Sequence, residues 1–230
     1  MTDLTSLLEY LQQYTATIMI VSEISLAIII SNTLCHSGSL RVSTVLLSSL
    51  FTEGWLFTVC SVRERFDNPT WVWLYVFVVS KLPELGDTIF IVLRKTKLPF
   101  LHWYHHITVF IYSFYMCAYP KSGIIWYAGM NFAVHALMYS YYTMKAMKFK
   151  IPRIVAMFIT VCQLVQMFLG VGVQITALQR LNNQQPCDSS YRDISYALCI
   201  YGSYAILFAN FFYQSYLAPA PKSDVKSKKS

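Results

Sequence analysis

The sequence predicts an all-α integral membrane protein of seven transmembrane helices, and three observations carry that prediction. Apolar residues make up 56% of the 230 residues and charged residues only 13%, a balance outside the range of ordinary soluble domains. Mean hydropathy is +0.45, and the apolar residues gather into windows close to the ~20 residues that a helix needs to cross a bilayer. Basic residues then alternate between the two sides of those windows, as the positive-inside rule expects.

The windows follow in order. Residues 1–16 form a short N-terminus, polar and acidic up to Tyr14 and without Lys or Arg. A first span is expected at 17–34, carrying Glu23, and with no basic n-region or small-residue cleavage site it reads as a retained helix rather than a signal peptide. A loop containing His36 and Arg41 leads to a second span at 42–60 with Glu53, and Arg63 to Pro69 reads as a connector whose Asn-Pro marks a turn. Trp71, Trp73 and Tyr75 open a third span as an interfacial belt, continuing to residue 93. A fourth begins after Pro99 and leaves near Cys117, before a turn-like run ending at Gly123. A fifth covers 124–144, a sixth runs to about residue 175, a polar loop occupies 179–193, a seventh covers 194–217, and 218–230 is a basic tail. Residues 17–217 thus read as one membrane domain, without linker, short repeat or soluble module.

Seven spans place Arg41, Arg94, Lys95, Lys97, Lys145, Lys148, Lys150, Arg153 and the four tail lysines on one side, twelve of the eighteen basic residues, with Lys81 inside the membrane. The N-terminus is therefore expected in the lumen and the C-terminus in the cytosol. The net charge of +7 points to anionic lipid or a phosphorylated substrate meeting the basic loops, with no nucleic acid. Six cysteines show no C-x-x-C spacing, so no metal site of that type is expected.

Polar residues inside the spans carry the candidate chemistry, because lipid offers them no partner. Leu-His102-Trp-Tyr-His105-His106 places three of the five histidines at i, i+3 and i+4, so they are expected to project to one side of a helix. Lys81, Glu84 and Asp87, with Thr88, can pair along one face of the third span, either as a neutralised structural network or as the wall of a polar cavity that orients the histidines. In the fifth span Asn131, His135, Met138 and Tyr142 form a stripe bordered by Tyr139. Thr160, Gln163 and Gln166 share a face of the sixth, as interhelical hydrogen bonding or as pocket lining. Neutral histidines permit metal ligation or covalent and acid–base catalysis. The H-x-x-H-H box is superficially like that of membrane oxygenases, but these spread about eight histidines over several boxes, whereas this chain has five and one such box.

Read together, Lys81-Leu-Pro-Glu84-Leu-Gly-Asp87-Thr88, His102-Trp-Tyr-His105-His106, Asn131-Phe-Ala-Val-His135-Ala-Leu-Met138-Tyr139-Ser-Tyr141-Tyr142 and Thr160-Val-Cys-Gln163-Leu-Val-Gln166 resemble, in order and spacing, the signature motifs of the ELO very-long-chain fatty acid elongases. The resemblance covers roughly residues 43–217. The Leu-His-Trp-Tyr-His-His-Ile-Thr-Val run is most similar to the branch that elongates saturated and monounsaturated chains.

That resemblance implies seven helices, six of them forming a barrel around an acyl-chain tunnel in the endoplasmic reticulum membrane. It implies a 3-ketoacyl-CoA synthase that condenses long-chain acyl-CoA with malonyl-CoA, with no cofactor beyond its two substrates and no metal. His105 is the implied nucleophile, passing through an acyl-imidazole. His135 with Asn131 would position the malonyl unit and stabilise enolate charge, and His102 and His106 would orient or polarise partners. Substrate would meet Lys81, Glu84, Asp87, Tyr139, Tyr142, Gln163 and Gln166, with the phosphates of CoA met by Arg94, Lys95, Lys97, Lys145 and Lys148. Cys60 and Cys187 match a bridged pair in relatives, and Lys226 and Lys228 match a dilysine retrieval signal. The reductases and dehydratase of the elongation cycle and a second copy of the chain are the implied partners. A lipid-binding or transport protein without catalysis, or a metal-dependent lipid oxidase, are the alternative readings.

Overall fold

The computed structural model describes residues 32–61, 67–93 and 100–218, and within them every regular element is helical. They are α1 over 32–52, α2 at Trp55–Cys60, α3 at Asn68–Leu93, α4 at Phe100–Ala118, α5 at Ile124–Ala146, α6 at Arg153–Asn182 and α7 at Tyr191–Phe212, which continues as a π-helical turn at Tyr213–Leu217. The expected first span up to residue 31, the 94–99 loop and the basic tail from residue 219 lie outside the described residues, and the last three residues of that span belong to α1. By length and composition α6, and α7 taken with its π-helical end, are apolar enough to cross a membrane.

Two boundaries differ from the sequence reading for local reasons. The expected loop around His36 and Arg41 is helix, because its small residues serve close packing rather than a turn. A Cβ on Gly38 would lie 2.8 Å from the ring of Phe132 on α5, and small residues are what allow helix backbones to approach in a membrane. Arg41, assigned to the basic side, is paired with Asp67 of the connector assigned to the opposite side. The expected 42–60 span breaks at Gly54, whose φ of 86° is a conformation that glycine adopts without strain.

At the start of α3, Asn68 and Pro69 belong to the first turn and not to a connector. Asp67 caps that turn by accepting from the Thr70 backbone N–H at 3.0 Å, the usual N-cap geometry, and Pro69 is tolerated there because first-turn amides need no helical acceptor. The Thr70 hydroxyl and then Arg41 hold the Asp67 carboxyl below the ordinary carboxylate range. At the other end of the sequence reading, α6 runs on to Asn182, so the polar loop narrows to residues 183–190.

Helix contacts run from α3 to α4, α4 to α7, α7 to α6, α6 to α5 and back from α5 to α3, with α2 set against α5 and α6. Five helices therefore close a ring. α1 lies against α5, where Val42 and Leu46 pack on Gly129. At one end of the ring three connectors meet through main-chain bonds from Ser122 N to Asp188 O, Gly123 N to Val59 O and Asp188 N to Cys60 O. Cys60 and Cys187, the pair named from the resemblance, are disulfide-bonded there, 127 residues apart in sequence. Replacing Cys60 with serine is expected to lower stability by about 2–5 kcal/mol, read as an earlier thermal unfolding midpoint in detergent, with reductant producing the same loss in the unmodified chain.

Candidate active site

The polar motifs converge inside the ring. α3 contributes Lys81 and Glu84, 1% and 3% exposed, spaced i,i+3 so that both reach one face. Lys81 Nζ donates to Glu84 Oε1 at 2.6 Å and to Asn131 Oδ1 of α5 at 2.6 Å, and it lies 4.5 Å from the centre of the Phe77 ring. A buried ammonium is tolerable only with such partners. One turn beyond Asn131, His135 places Nδ1 3.7 Å from Glu84 Oε1, just outside hydrogen-bond range. The Lys81–Glu84 pair thus joins α3 to α5 through Asn131 and stands beside His135.

α4 contributes the other imidazoles, and they divide between two directions. The His102 and His106 rings lie side by side with centres 4.3 Å apart, tilted by 36°. His105 turns toward α7, 4.6 Å from the Tyr204 ring and 5.6 Å from Phe208. The expected common face therefore holds for the i,i+4 pair, while the i+3 position is rotated onto a different neighbour. His105 and His106 are buried and His102 is half-buried.

Several polar atoms in this interior are buried without a hydrogen-bond partner: Glu84 Oε2, Thr88 Oγ1, His102 Nε2, His105 Nδ1, His106 Nδ1 and His135 Nδ1. Buried polar atoms are nearly always paired in proteins, so these atoms on α3, α4 and α5 are open to a polar guest or to water. Among the described residues no three His, Cys, Asp or Glu side chains are grouped as a metal ion would require.

The remaining candidates spread along the ring. Tyr139 is 2% exposed and faces His135, with ring centres 5.7 Å apart. Tyr142, assigned to the same stripe, is 44% exposed; seven residues on from His135 it keeps nearly the same direction, but it lies in the last turns of α5, past Tyr139, the last buried residue of that helix. Gln163 is half-buried and reaches Met138 Sδ at 3.9 Å, while Gln166 is buried. Thr160 donates to Ala156 O at 3.1 Å and meets the Tyr216 hydroxyl at 3.3 Å, so it bonds within and between helices as its alternative reading allowed. Lys145 and Lys148 are exposed at the end of α5, with Lys145 5.7 Å from the Tyr141 ring. The side chain of Asp87, and Arg94, Lys95, Lys97, Lys226 and Lys228, lie outside the described residues.

Two contributions escaped the sequence reading. Tyr204 braces His105, and its hydroxyl meets Thr108 Oγ1 at 2.6 Å; the aromatic series Tyr201, Tyr204, Phe208 at i, i+3 and i+7 was the available signal. Arg153 donates to the Ser215 carbonyl and lies over the Tyr216 ring, joining the start of α6 to the π-helical turn.

Comparison with known proteins agrees with this arrangement of motifs. No solved structure matches the chain. It is 46% identical over 186 residues to very long chain fatty acid elongase 6 of Drosophila melanogaster, a match covering 79% of this chain and 58% of that protein. Against elongase 6 of Mus musculus it is 43% identical over 190 residues, covering 81% and 70%, and against human elongase 3 it is 42% identical over 194 residues, covering 83% and 70%. The match to the family itself extends over residues 7–224, further toward both ends than the four motifs reach, and the chain belongs to the ELO: GNS1/SUR4 family.

Proposed function

We propose that this chain catalyses the condensing step of fatty acid elongation, joining a long-chain saturated or monounsaturated acyl-CoA to malonyl-CoA with release of carbon dioxide and CoA. The observation that carries the reading is the cluster of unpartnered polar atoms around His105, His106 and His135, set in an otherwise apolar ring of helices. An acyl thioester is a polar group at the head of an apolar chain, and the malonyl unit brings a carboxylate beside it, which is the guest that such an interior fits.

In the proposed sequence an imidazole nitrogen of His105 attacks the acyl carbonyl carbon. The C–S bond breaks and CoA leaves as thiolate, taking up the proton released by the imidazole. Malonyl-CoA then loses its carboxylate as carbon dioxide, the resulting enolate carbon attacks the acyl carbonyl carbon, and the C–N bond breaks as the departing imidazole nitrogen takes up one proton from solvent, which restores neutral His105. An imidazole kept from water is neutral and so has a lone pair to attack with. Asn131 Oδ1 is committed to Lys81, so its amide hydrogens are the part that can donate to the enolate, beside His135. His102 and His106 orient or polarise the partners. No cofactor beyond the two CoA substrates takes part, and no metal.

The wider arrangement follows from the same reading. Seven spanning helices, six in a barrel around the acyl chain, would place the disulfide end in the oxidising lumen of the endoplasmic reticulum, with the N-terminus lumenal. Lys145, Lys148 and the 94–97 basic cluster then lie on the cytosolic face with the C-terminal Lys226 and Lys228, where CoA phosphates and the reductases and dehydratase of the cycle are available. The test is direct. Purified protein given acyl-CoA and carboxyl-labelled malonyl-CoA should release labelled carbon dioxide and form a 3-ketoacyl-CoA; acyl-CoA binding with no carbon dioxide released would leave a lipid carrier instead.

A further inference from the structure

We infer that Tyr204 is a positioning residue for His105: a hydroxyl bond across to Thr108 fixes its ring against the imidazole, and so presents that imidazole to the acyl thioester. This rests on the condensing-enzyme reading for what His105 attacks.

Two hydroxyl bonds cross the seam between α4 and α7. Tyr104 meets Ser203 Oγ at 3.0 Å, and Tyr204 meets Thr108 Oγ1 at 2.6 Å. A hydroxyl has one proton to give, and those of Ser203 and Thr108 go to carbonyls of their own helices, Ile200 O at 2.7 Å and Tyr104 O at 2.6 Å. Both tyrosines are therefore the donors, one reaching from α4 to α7 and the other from α7 to α4. The second bond borders the main chain of His105, whose carbonyl oxygen lies 3.3 Å from Thr108 Oγ1 and 3.5 Å from the Tyr204 hydroxyl.

The two bonds differ in what they hold. Tyr204 is 2% exposed, and its ring centre lies 4.6 Å from that of His105. That ring is anchored at both ends, by its own backbone on α7 and by its hydroxyl on α4, so it is a fixed wall for the imidazole. Tyr104 instead stacks on Phe100 with centres 5.3 Å apart and meets Tyr204 at 6.1 Å. Because the Tyr204 proton is committed to Thr108, the hydroxyl contributes the place of the ring and not an acid. A nucleophile that is slightly misplaced loses rate, since the reacting atoms must already be close and aligned.

The test gives the full chain a long-chain saturated acyl-CoA at several concentrations and follows the acyl adduct by intact mass spectrometry. The time course yields a rate constant whatever fraction of the protein is folded. Tyr204→Phe keeps the ring and removes its tether, and Thr108→Val keeps the tyrosine and removes its acceptor. Both should lower the maximal acylation rate about tenfold, with the half-saturating acyl-CoA concentration unchanged. Thr108→Ser, which keeps the hydroxyl, should acylate as the wild type does, and so should Tyr104→Phe, which removes the other bond between the same two helices. Loss in Tyr204→Phe alone would make the hydroxyl a proton donor, and equal loss in Tyr104→Phe would make the seam a general brace; either result overturns the inference. A second measurement needs no acyl-CoA. Diethyl pyrocarbonate is small and modifies an imidazole from any open side, so in Tyr204→Phe and Thr108→Val His105 should react severalfold faster relative to the exposed His36, opposite in direction to acylation. A wild-type chain that forms no acyl adduct would count against the condensing reading alone, because this reagent still reads the hold on the ring. Wild-type behaviour of both variants in both measurements overturns the positioning role.

Discussion

Replacing His105 with alanine is expected to abolish acyl-enzyme formation and to reduce condensation by about a thousandfold or more, the scale at which removal of one member of a cooperating catalytic group is felt. The expectation comes from placement. Among the imidazoles, His105 is fixed by rings from another helix, with Tyr204 and Phe208 bounding it and the Tyr204 hydroxyl tied to Thr108 one turn on. His135 faces Glu84 and Asn131 instead, so His135→Ala should still accept an acyl group and fail at carbon–carbon bond formation. Intact mass spectrometry after incubation with acyl-CoA separates the two: no adduct in His105→Ala, and in His135→Ala an adduct that persists when malonyl-CoA is added. An adduct of wild-type yield in His105→Ala would remove that residue from the covalent step.

The two histidines were legible as candidates because polarity inside an apolar window is expensive, and the cost marks the residue whatever its neighbours are. The same logic exposed Lys81 and Glu84, whose i,i+3 spacing already named them as partners. What spacing could not say was which side of α4 each histidine takes, because that depends on where α7 sits, and Tyr204 of α7 is 99 residues from His105 in the chain. Tyr204 was hidden for a related reason: a tyrosine in a chain with seventeen of them is unremarkable until its ring is found against His105. The error at 35–41 has a different origin. Ser37-Gly38-Ser39 has the composition of a turn, but small residues also let two helices touch, and only the Phe132 ring against Gly38 decides between these uses. Tyr142 and Tyr139 show the limit of a stripe drawn on a helical wheel, which gives direction but not depth: burial along α5 ends at Tyr139.

Lys81→Met is expected to destabilise the protein by about 3–5 kcal/mol, read as a lower unfolding midpoint in detergent, and to eliminate turnover. The size follows from what the substitution leaves behind. Glu84 is 3% exposed and has one oxygen already without a partner; without the ammonium it becomes a buried carboxylate facing only the 3.7 Å approach of His135. The cost of the mutation is therefore mostly that of stranding Glu84 rather than of losing the Lys81 bond. The double replacement Lys81→Met, Glu84→Gln removes both charges while keeping similar shapes, and replacing a whole buried pair is often neutral, so it should recover most of the lost stability. Activity should not return with it. The glutamine cannot supply the negative charge beside His135 Nδ1, and Asn131, released from Lys81, is free to turn its amide away from substrate. A stable double variant that condenses at the wild-type rate would show the pair to be only a lock between α3 and α5, whereas a stable and inactive one assigns it to positioning His135 and Asn131.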